Sequence, residues 1–301
     1  MRITITGHKG LVGSAINECI NSANFTEKIS NLESYSRFLS ENYIDTVIHT
    51  AAKVGGVLSN YNNKIEFYLK NSNLNNIVFE AAFSLGVENF VNFSSTCVFP
   101  DKCEYPLKED YIFDGPPHYT NDAYAYAKRM NQYLCAEARK LGRNYFTIIP
   151  TNVFGPRDNY NLDHSHVLPG LIHKCYLAKL NNADLVVWGD GSPLREFIYS
   201  KDLAKITCEL LDKNKSCESI IVSNSEEISI KQCVESIAKI MKFNGNVIFD
   251  ESKPNGQYRK PTDTSLLKTI IPDFKFTPFD EALEESIEWF VRNYENRTAR
   301  V

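Results

Sequence analysis

No apolar run in the 301-residue chain approaches the roughly 20 residues that a bilayer-crossing helix needs, so no membrane partner is expected. No stretch is dense in lysine or arginine and the formal net charge is -4, so the charge pattern does not favour nucleic acid. The eight cysteines (19, 97, 103, 135, 175, 208, 217 and 233) contain no C-x-x-C pair. His164 and His166 lack an evident third ligand, so no metal site is expected. Neither repeats nor a low-complexity linker interrupts the chain. No hydrophobic leader is expected either, because the first residues read as a strand. Together with the scattered cysteines, this sets the expectation of a cytoplasmic protein with reduced thiols. A hydrophobic content of 43% and a charged content of 23% suit a packed globular chain.

What is present begins at residue 1. Arg2–Thr6 (RITIT) has the β-branched, apolar composition of a buried strand. It leads into Gly7-His8-Lys9-Gly10-Leu11-Val12-Gly13, and Ser14-Ala15-Ile16 opens a helix. Gly7 suits a tight turn, Gly10 lets a ligand approach the backbone, and Gly13 lets helix and strand pack closely. The helix N-terminus then presents free N–H groups and a positive dipole end to a pyrophosphate. Strand signals recur at Asp45–Thr50, Glu88–Ser95 and Tyr145–Ile149, alternating with helices over Asn73–Leu85 and Ala123–Leu141. This alternation predicts an α/β fold with a Rossmann-type, doubly wound parallel sheet, whose ligands bind beyond the carboxyl ends of the strands. The second half is less regular: a short strand at Leu185–Gly189, a helix capped by Ser229, a strand at Asn246–Asp250 and a helix over Pro278–Tyr294. It reads as a smaller α/β C-terminal substrate-binding lobe. The expected division is a dinucleotide domain of residues 1–155, joined later by about 196–224, and a lobe of 156–195 and 225–301.

Tyr124 and Lys128 stand four apart on a predicted helix and so share a face. An ammonium beside a phenol favours the phenolate, and such a tyrosine can hand a proton to a carbonyl oxygen as hydride arrives. Tyr126 lies on the wrong face for this. Ser95, at a strand end, can donate to the same oxygen. Taken singly, each feature has a bland reading: an amphipathic helix, a chance pair, a buried small thiol at Cys97, a loop histidine at His166. The order of glycine turn, strand-end serine and Tyr124…Lys128 points to an active site.

Here the chain resembles the extended short-chain dehydrogenase/reductases that act on nucleotide sugars, and among them the epimerase–reductases of GDP-4-keto-6-deoxymannose. The segments that carry the resemblance are GHKGLVGSAI (7–16), AAKVGG (51–56), SSTCVFP (94–100), AYAYAK (123–128), PTNVFGPRDNY (150–160), SHVLPG (165–170), VVWGDGSPLREF (186–197) and RK (259–260). The resemblance implies that Ser95, Tyr124 and Lys128 perform the reduction and that Cys97 and His166 form an acid/base pair for C3/C5 epimerisation. It implies a cofactor site of Gly7, Lys9, Gly10, Leu11, Val12, Gly13, Ala51, Ala52, Lys53, Ser94, Lys128, Pro150, Asn152 and Val153. It further implies a substrate site of Asn152, Val167, Lys174, Trp188, Arg195 and Lys260, in which cations meet the diphosphate of a GDP-sugar and the indole packs beside sugar or base. A homodimer through the helices near 73–85 and 123–141 is also implied.

The chain departs from this pattern at residues 21–35, NSANFTEKISNLESY. The family places a second strand there, ending in arginines that hold the 2′-phosphate of NADP. This chain shows neither, so NADP(H) is favoured and NAD(H) stays open, with Lys9 available to a phosphate. Lys174 replaces an expected arginine and Thr96 an expected serine. Rival readings keep the fold but make the chain a C4-reductase alone, an enzyme of another 4-keto sugar, or a 4-epimerase or 4,6-dehydratase. The last would want acidic residues beside Ser95, where Thr96-Cys97 stand. A redox-inactive dinucleotide sensor would have lost Tyr124 or Lys128.

Overall fold

In the computed structural model, residues 1–213, 217–253 and 255–301 are described; residues 214–216 of the expected returning segment and Pro254 of the lobe lie outside them. The first half runs β1 (Ile3–Thr6), α1 (Leu11–Cys19), α2 (Leu32–Glu41), β2 (Thr46–His49), α3 (Val57–Asn62), α4 (Lys64–Ser84), β3 (Asn89–Phe93), α5 (Asp122–Lys140) and β4 (Asn144–Pro150). It continues with β5 (Asn152–Phe154), α6 (Val167–Leu180), β6 (Leu185–Trp188), β7 (Leu194–Tyr199), α7 (Ser200–Lys213) and β8 (Ser219–Val222). The last elements are β9 (Glu227–Ser229), α8 (Ile230–Ile240), β10 (Val247–Asp250), α9 (Ser265–Ile270) and α10 (Phe279–Glu295).

Five strands form one all-parallel sheet in the order β1-β2-β3-β4-β8. Strand period sends neighbouring residues to opposite faces, and both faces are covered. Val47, Phe90 and Tyr145 pack under α2, α4 and α5, against Tyr35, Leu39, Val78, Ala82 and Ala138. Their neighbours Ile48, Val91 and Phe146 pack on the other side with Ile16 of α1 and Leu203, Ile206 and Leu210 of α7. Each such large apolar side chain contributes about 1.5–3 kcal/mol by leaving water. The lobe gathers α6, α8 and α10 around β5-β7-β9 and the β6–β10 pair. Tyr160 stacks on Phe290 at 4.4 Å in its core. Ser229 caps α8 with a capping box closed by Gln232.

Two segments differ from the sequence-based expectation. The helix expected from Asn73 begins at Lys64; its first turns carry apolar residues on the outside as well as toward the sheet, which hides the one-sided stripe of a surface helix. It closes at Gly86, whose φ of +73° is the left-handed conformation glycine adopts freely. Residues 32–35 are helical, and the second strand of the family is reduced to a single parallel bridge, Ile3 to Ser22.

Candidate active site

Parallel strands bring their carboxyl ends to one edge, and the motif residues follow them there. Gly7 follows β1, Ala51 to Lys53 follow β2, Ser94 and Ser95 follow β3, and Pro150 ends β4 with Asn152 and Val153 beyond it on β5. Gly7 has φ +76°, and a Cβ there would lie 2.9 Å from Ala51. A Cβ on Gly13 would lie 2.3 Å from the Gly7 carbonyl and 2.7 Å from Thr50 Oγ1, so only glycine lets α1 sit this close to β1 and β2. A Cβ on Gly10 meets only the Gly7 carbonyl, at 3.4 Å, leaving its outer side open. Gly10 caps α1 without any side-chain hydrogen bond, so the turn at Leu11, Val12 and Gly13 keeps its N–H groups for an anion. Lys9 stands exposed beside it. These residues fit the diphosphate of a dinucleotide.

Behind this edge lies a hydrogen-bond chain that the sequence reading missed. Asn75 Nδ2 donates to the Ala127 carbonyl (3.1 Å), so its Oδ1 faces His49 Nε2 at 2.9 Å and must accept. His49 therefore carries its proton on Nε2, and its Nδ1 accepts from Thr6 Oγ1 at 2.7 Å. Thr6 Oγ1 in turn accepts from the Ala51 N–H at 3.3 Å. Burial and the nearby Lys128 push the imidazole down to about 3, so it stays neutral. Asn71, one turn before Asn75, brackets Lys53 by accepting from its N–H (2.8 Å) and donating to its carbonyl (3.1 Å). The Lys53 ammonium itself pairs with Glu66 at 2.7 Å. The available signal was a histidine inside a buried strand and two asparagines four apart on a buried helix face.

Lys128 is 2% exposed, and its Nζ donates to the Phe93 carbonyl at 2.7 Å, locking α5 to the end of β3. The ammonium lies 5.8 Å from the centre of the Tyr124 ring. The expectation that it lowers the phenol's pKa is corrected: burial outweighs it, and Tyr124 is held well above the usual tyrosine value. The shift falls on the lysine instead, since burial lowers Lys128 from 10.5 to about 8. The ammonium is thus present below about pH 8 and lost above it. The kcat/KM for reduction should fall as pH rises through that value; a profile flat across it would remove Lys128 from the chemistry. Ser95 Oγ donates to Cys97 Sγ at 3.3 Å and accepts from the Cys97 N–H at 3.4 Å. Ser95 thus caps the short 3-10 turn Thr96–Val98 that carries Cys97, and hydroxyl and thiol meet beside Tyr124.

The lobe supplies the remaining candidates. His166 caps α6 and Val167 begins it, both open to solvent. Protein surrounds the imidazole closely enough that desolvation lowers its pKa. Gly56 N–H donates to the His164 carbonyl at 3.0 Å, joining AAKVGG to SHVLPG. Among the described residues no hydrogen bond joins His166 to Cys97. Trp188 is 52% exposed rather than core, with Lys174 Nζ 5.0 Å from its ring centre. Burial lowers the pKa values of Lys174, Arg195 and Lys260, and none has an ion-paired carboxylate among the described residues. Partly buried cations without a paired carboxylate suit an anionic ligand. Arg195 and Lys260 also interact electrostatically. Lys260 also reaches further, donating to the Thr96 carbonyl at 2.7 Å. Asn152 Nδ2 donates to the Glu196 carbonyl at 2.8 Å.

A glycine-turn sheet edge carrying serine, tyrosine and lysine defines a dinucleotide-dependent short-chain dehydrogenase/reductase site. Residues 3–223 match the model of the NAD dependent epimerase/dehydratase family, to which the chain belongs. Within it the chain is 42% identical to the GDP-L-fucose synthase of Dictyostelium discoideum, over 99% of this chain and 97% of that one. A crystal structure of a GDP-L-fucose synthetase from Naegleria fowleri bound to NADP is 40% identical, with a TM-score of 0.91, over 99% of this chain and 94% of that one. The GDP-L-colitose synthase of Yersinia pseudotuberculosis is 31% identical, over 89% of this chain and 91% of that one. Among the described residues no helix is long and apolar enough to cross a membrane.

Proposed function

We propose that the chain converts GDP-4-keto-6-deoxymannose to GDP-L-fucose with NADPH, by C3/C5 epimerisation and C4 reduction. The observation that carries this is the single turn on which Ser95 and Cys97 touch, beside Tyr124. One short segment holds a group for carbonyl reduction against a group for proton exchange. The C4 ketone acidifies the protons at C3 and C5. Cys97 and His166 remove and return these protons on opposite faces. Bound NADPH supplies the hydride that reduces C4. Tyr124 then protonates the C4 oxygen, Ser95 hydrogen-bonds to that oxygen, and Lys128 supports the phenol from the end of β3. Lys174, Arg195 and Lys260 take the diphosphate, Trp188 packs beside sugar or base, and Asn152 and Val167 line the sugar. In this reading residues 1–155 and the segment returning near 196–224 hold the dinucleotide, and the lobe of 156–195 and 225–301 closes over the substrate.

NMR in D2O with GDP-4-keto-6-deoxymannose and NADPH tests the reading. Deuterium at C3 and C5 together with oxidised cofactor is expected. Cofactor oxidation without deuterium would reduce the chain to a C4-reductase. Similarity to a GDP-L-colitose synthase supports a second reading, in which the same groups act on another 4-keto GDP-sugar; turnover of that sugar alone would favour it.

The 2′-phosphate falls to Lys9, since the short segment after Ser22 ends in no arginine. Lys9→Ala should cut the preference for NADPH over NADH in kcat/KM by about tenfold, the loss of one charged contact. An unchanged ratio would place the phosphate elsewhere. A second copy of the chain is the expected partner. Ile65, Tyr68 and Leu69 of α4 and Tyr126, Met130 and Tyr133 of α5 form an exposed apolar face on two packed helices. Light scattering should give twice the chain mass. A cytoplasmic location completes the reading.

A further inference from the structure

Glu196 is 4% exposed on β7, and its carboxylate accepts from three donors. The Thr262 N–H lies 2.9 Å from Oε1, and the Thr262 and Ser223 hydroxyls lie 2.5 Å and 2.7 Å from Oε2. Burying a carboxylate is costly unless its lone pairs are filled, so a carboxylate here asks for a reason beyond packing. Two residues before Thr262 stands Lys260, and the segment between is fastened on both sides. Leu107 N–H donates to the Pro261 carbonyl (2.9 Å), and Asp263 N–H donates to the Leu107 carbonyl (2.8 Å). Arg259 grips Glu227 with two nitrogens. Pro261 restricts Lys260 to extended backbone. The lysine side chain runs from this strap to the Thr96 carbonyl, in the middle of the turn that carries Ser95 and Cys97, and its ammonium acts on the Cys97 thiol.

We infer that Glu196 is a positioning residue for proton exchange: through Thr262 it holds Lys260 against Thr96, and so fixes the turn that carries Ser95 and Cys97. The inference deepens the proposed function and rests on Cys97 serving there. Cys97 is faced by Lys260 from the strap, by the Tyr124 phenol from α5 and by the Ser95 hydroxyl from its own turn. Lys260 is faced in addition by Arg195 from β7 and by Asp101 and Cys103 beyond the turn. Of these, Lys260 is the cation held in contact with the turn, through the Thr96 carbonyl.

The test is alkylation of the full-length protein by iodoacetamide at one fixed pH, with the Cys97 peptide read by mass spectrometry. Deuterium uptake at C3 and C5 is measured in parallel at saturating substrate. Glu196→Gln keeps the size but turns an amide donor toward the donors of Thr262 and Ser223, loosening the strap; Lys260→Met removes the anchor on the Thr96 carbonyl. Both should change the rate of Cys97 alkylation severalfold and in the same direction, because the same turn is released. Both should also slow deuterium uptake about tenfold, and the double variant should be little worse than either alone. Lys260→Arg, which can still donate to the carbonyl, should restore both rates. If Glu196→Gln does not fold, Thr262→Val carries the same expectation. Parent rates of alkylation and uptake in Glu196→Gln, or effects that add in the double variant, would overturn the inference. If the alkylation rate changes but Cys97→Ser leaves deuterium uptake intact, the strap stands and the epimerase reading fails.

Discussion

Tyr124→Phe should lower the rate of cofactor oxidation by about 10²–10⁴, the range for loss of a positioned general acid, while NADPH affinity stays close to that of the parent. The ring keeps its place beside the Lys128 ammonium, and only the hydroxyl leaves. That hydroxyl makes no hydrogen bond among the described residues, so its removal leaves the fold unstrained. Its raised pKa keeps it protonated at neutral pH, the state a proton donor needs. Deuterium uptake at C3 and C5 should continue in this variant, because the ketone that acidifies those positions persists. Stopped-flow cofactor oxidation and equilibrium fluorescence read the two halves of the expectation. Full activity would remove Tyr124 from the reaction.

Cys97→Ser should do the reverse. Serine fits the same turn, yet its hydroxyl is a far poorer base than a thiolate, so deuterium uptake should fall by about 10²–10³. Cofactor oxidation should fall less, as Ser95, Tyr124 and Lys128 remain. Reduction then runs ahead of epimerisation, and product with uninverted C3 and C5 should accumulate in the NMR spectrum. The serine at position 97 still receives a hydrogen bond from Ser95, which keeps the reductase serine in place. Deuterium uptake at the parent rate would end the assignment of Cys97 as an acid/base group.

Much of this site was legible in the sequence because its signals are local. Gly7, Gly10 and Gly13 sit where a strand becomes a helix, and the structure gives Gly7 and Gly13 a steric reason. Tyr124 and Lys128 lie four apart, a spacing that an α-helix turns into proximity without help from the rest of the fold. The positioning groups are different in kind. His49 needs Asn75, which lies 26 residues away, and Glu196 needs Thr262, which lies 66 away. No periodicity joins such residues, and only the sheet order brings them together. The sign of the Tyr124 shift was missed for the same reason, since desolvation depends on everything that surrounds a group and spacing reports only one neighbour. The length of α4 escaped because its outward apolar face, Ile65, Tyr68 and Leu69, blurs the stripe that marks a helix with one buried side.

The missing second strand leaves β1 as the border of the sheet, secured on its outer side by the Ala23 N–H to the Ile3 carbonyl and by Asn24 Oδ1 receiving the Ile5 N–H. Two hydrogen bonds make a thin seam, and seams of this kind open locally long before a protein unfolds. Amides along residues 22–31 should therefore exchange with solvent faster than those of β2 or β3. A dinucleotide bound at the glycine turn beside this border should slow that exchange, as measured by hydrogen exchange with and without NADPH. Saturation at a hundred times its dissociation constant adds about 2.7 kcal/mol to the folded state. Cofactor binding and the integrity of this sheet border should therefore rise together.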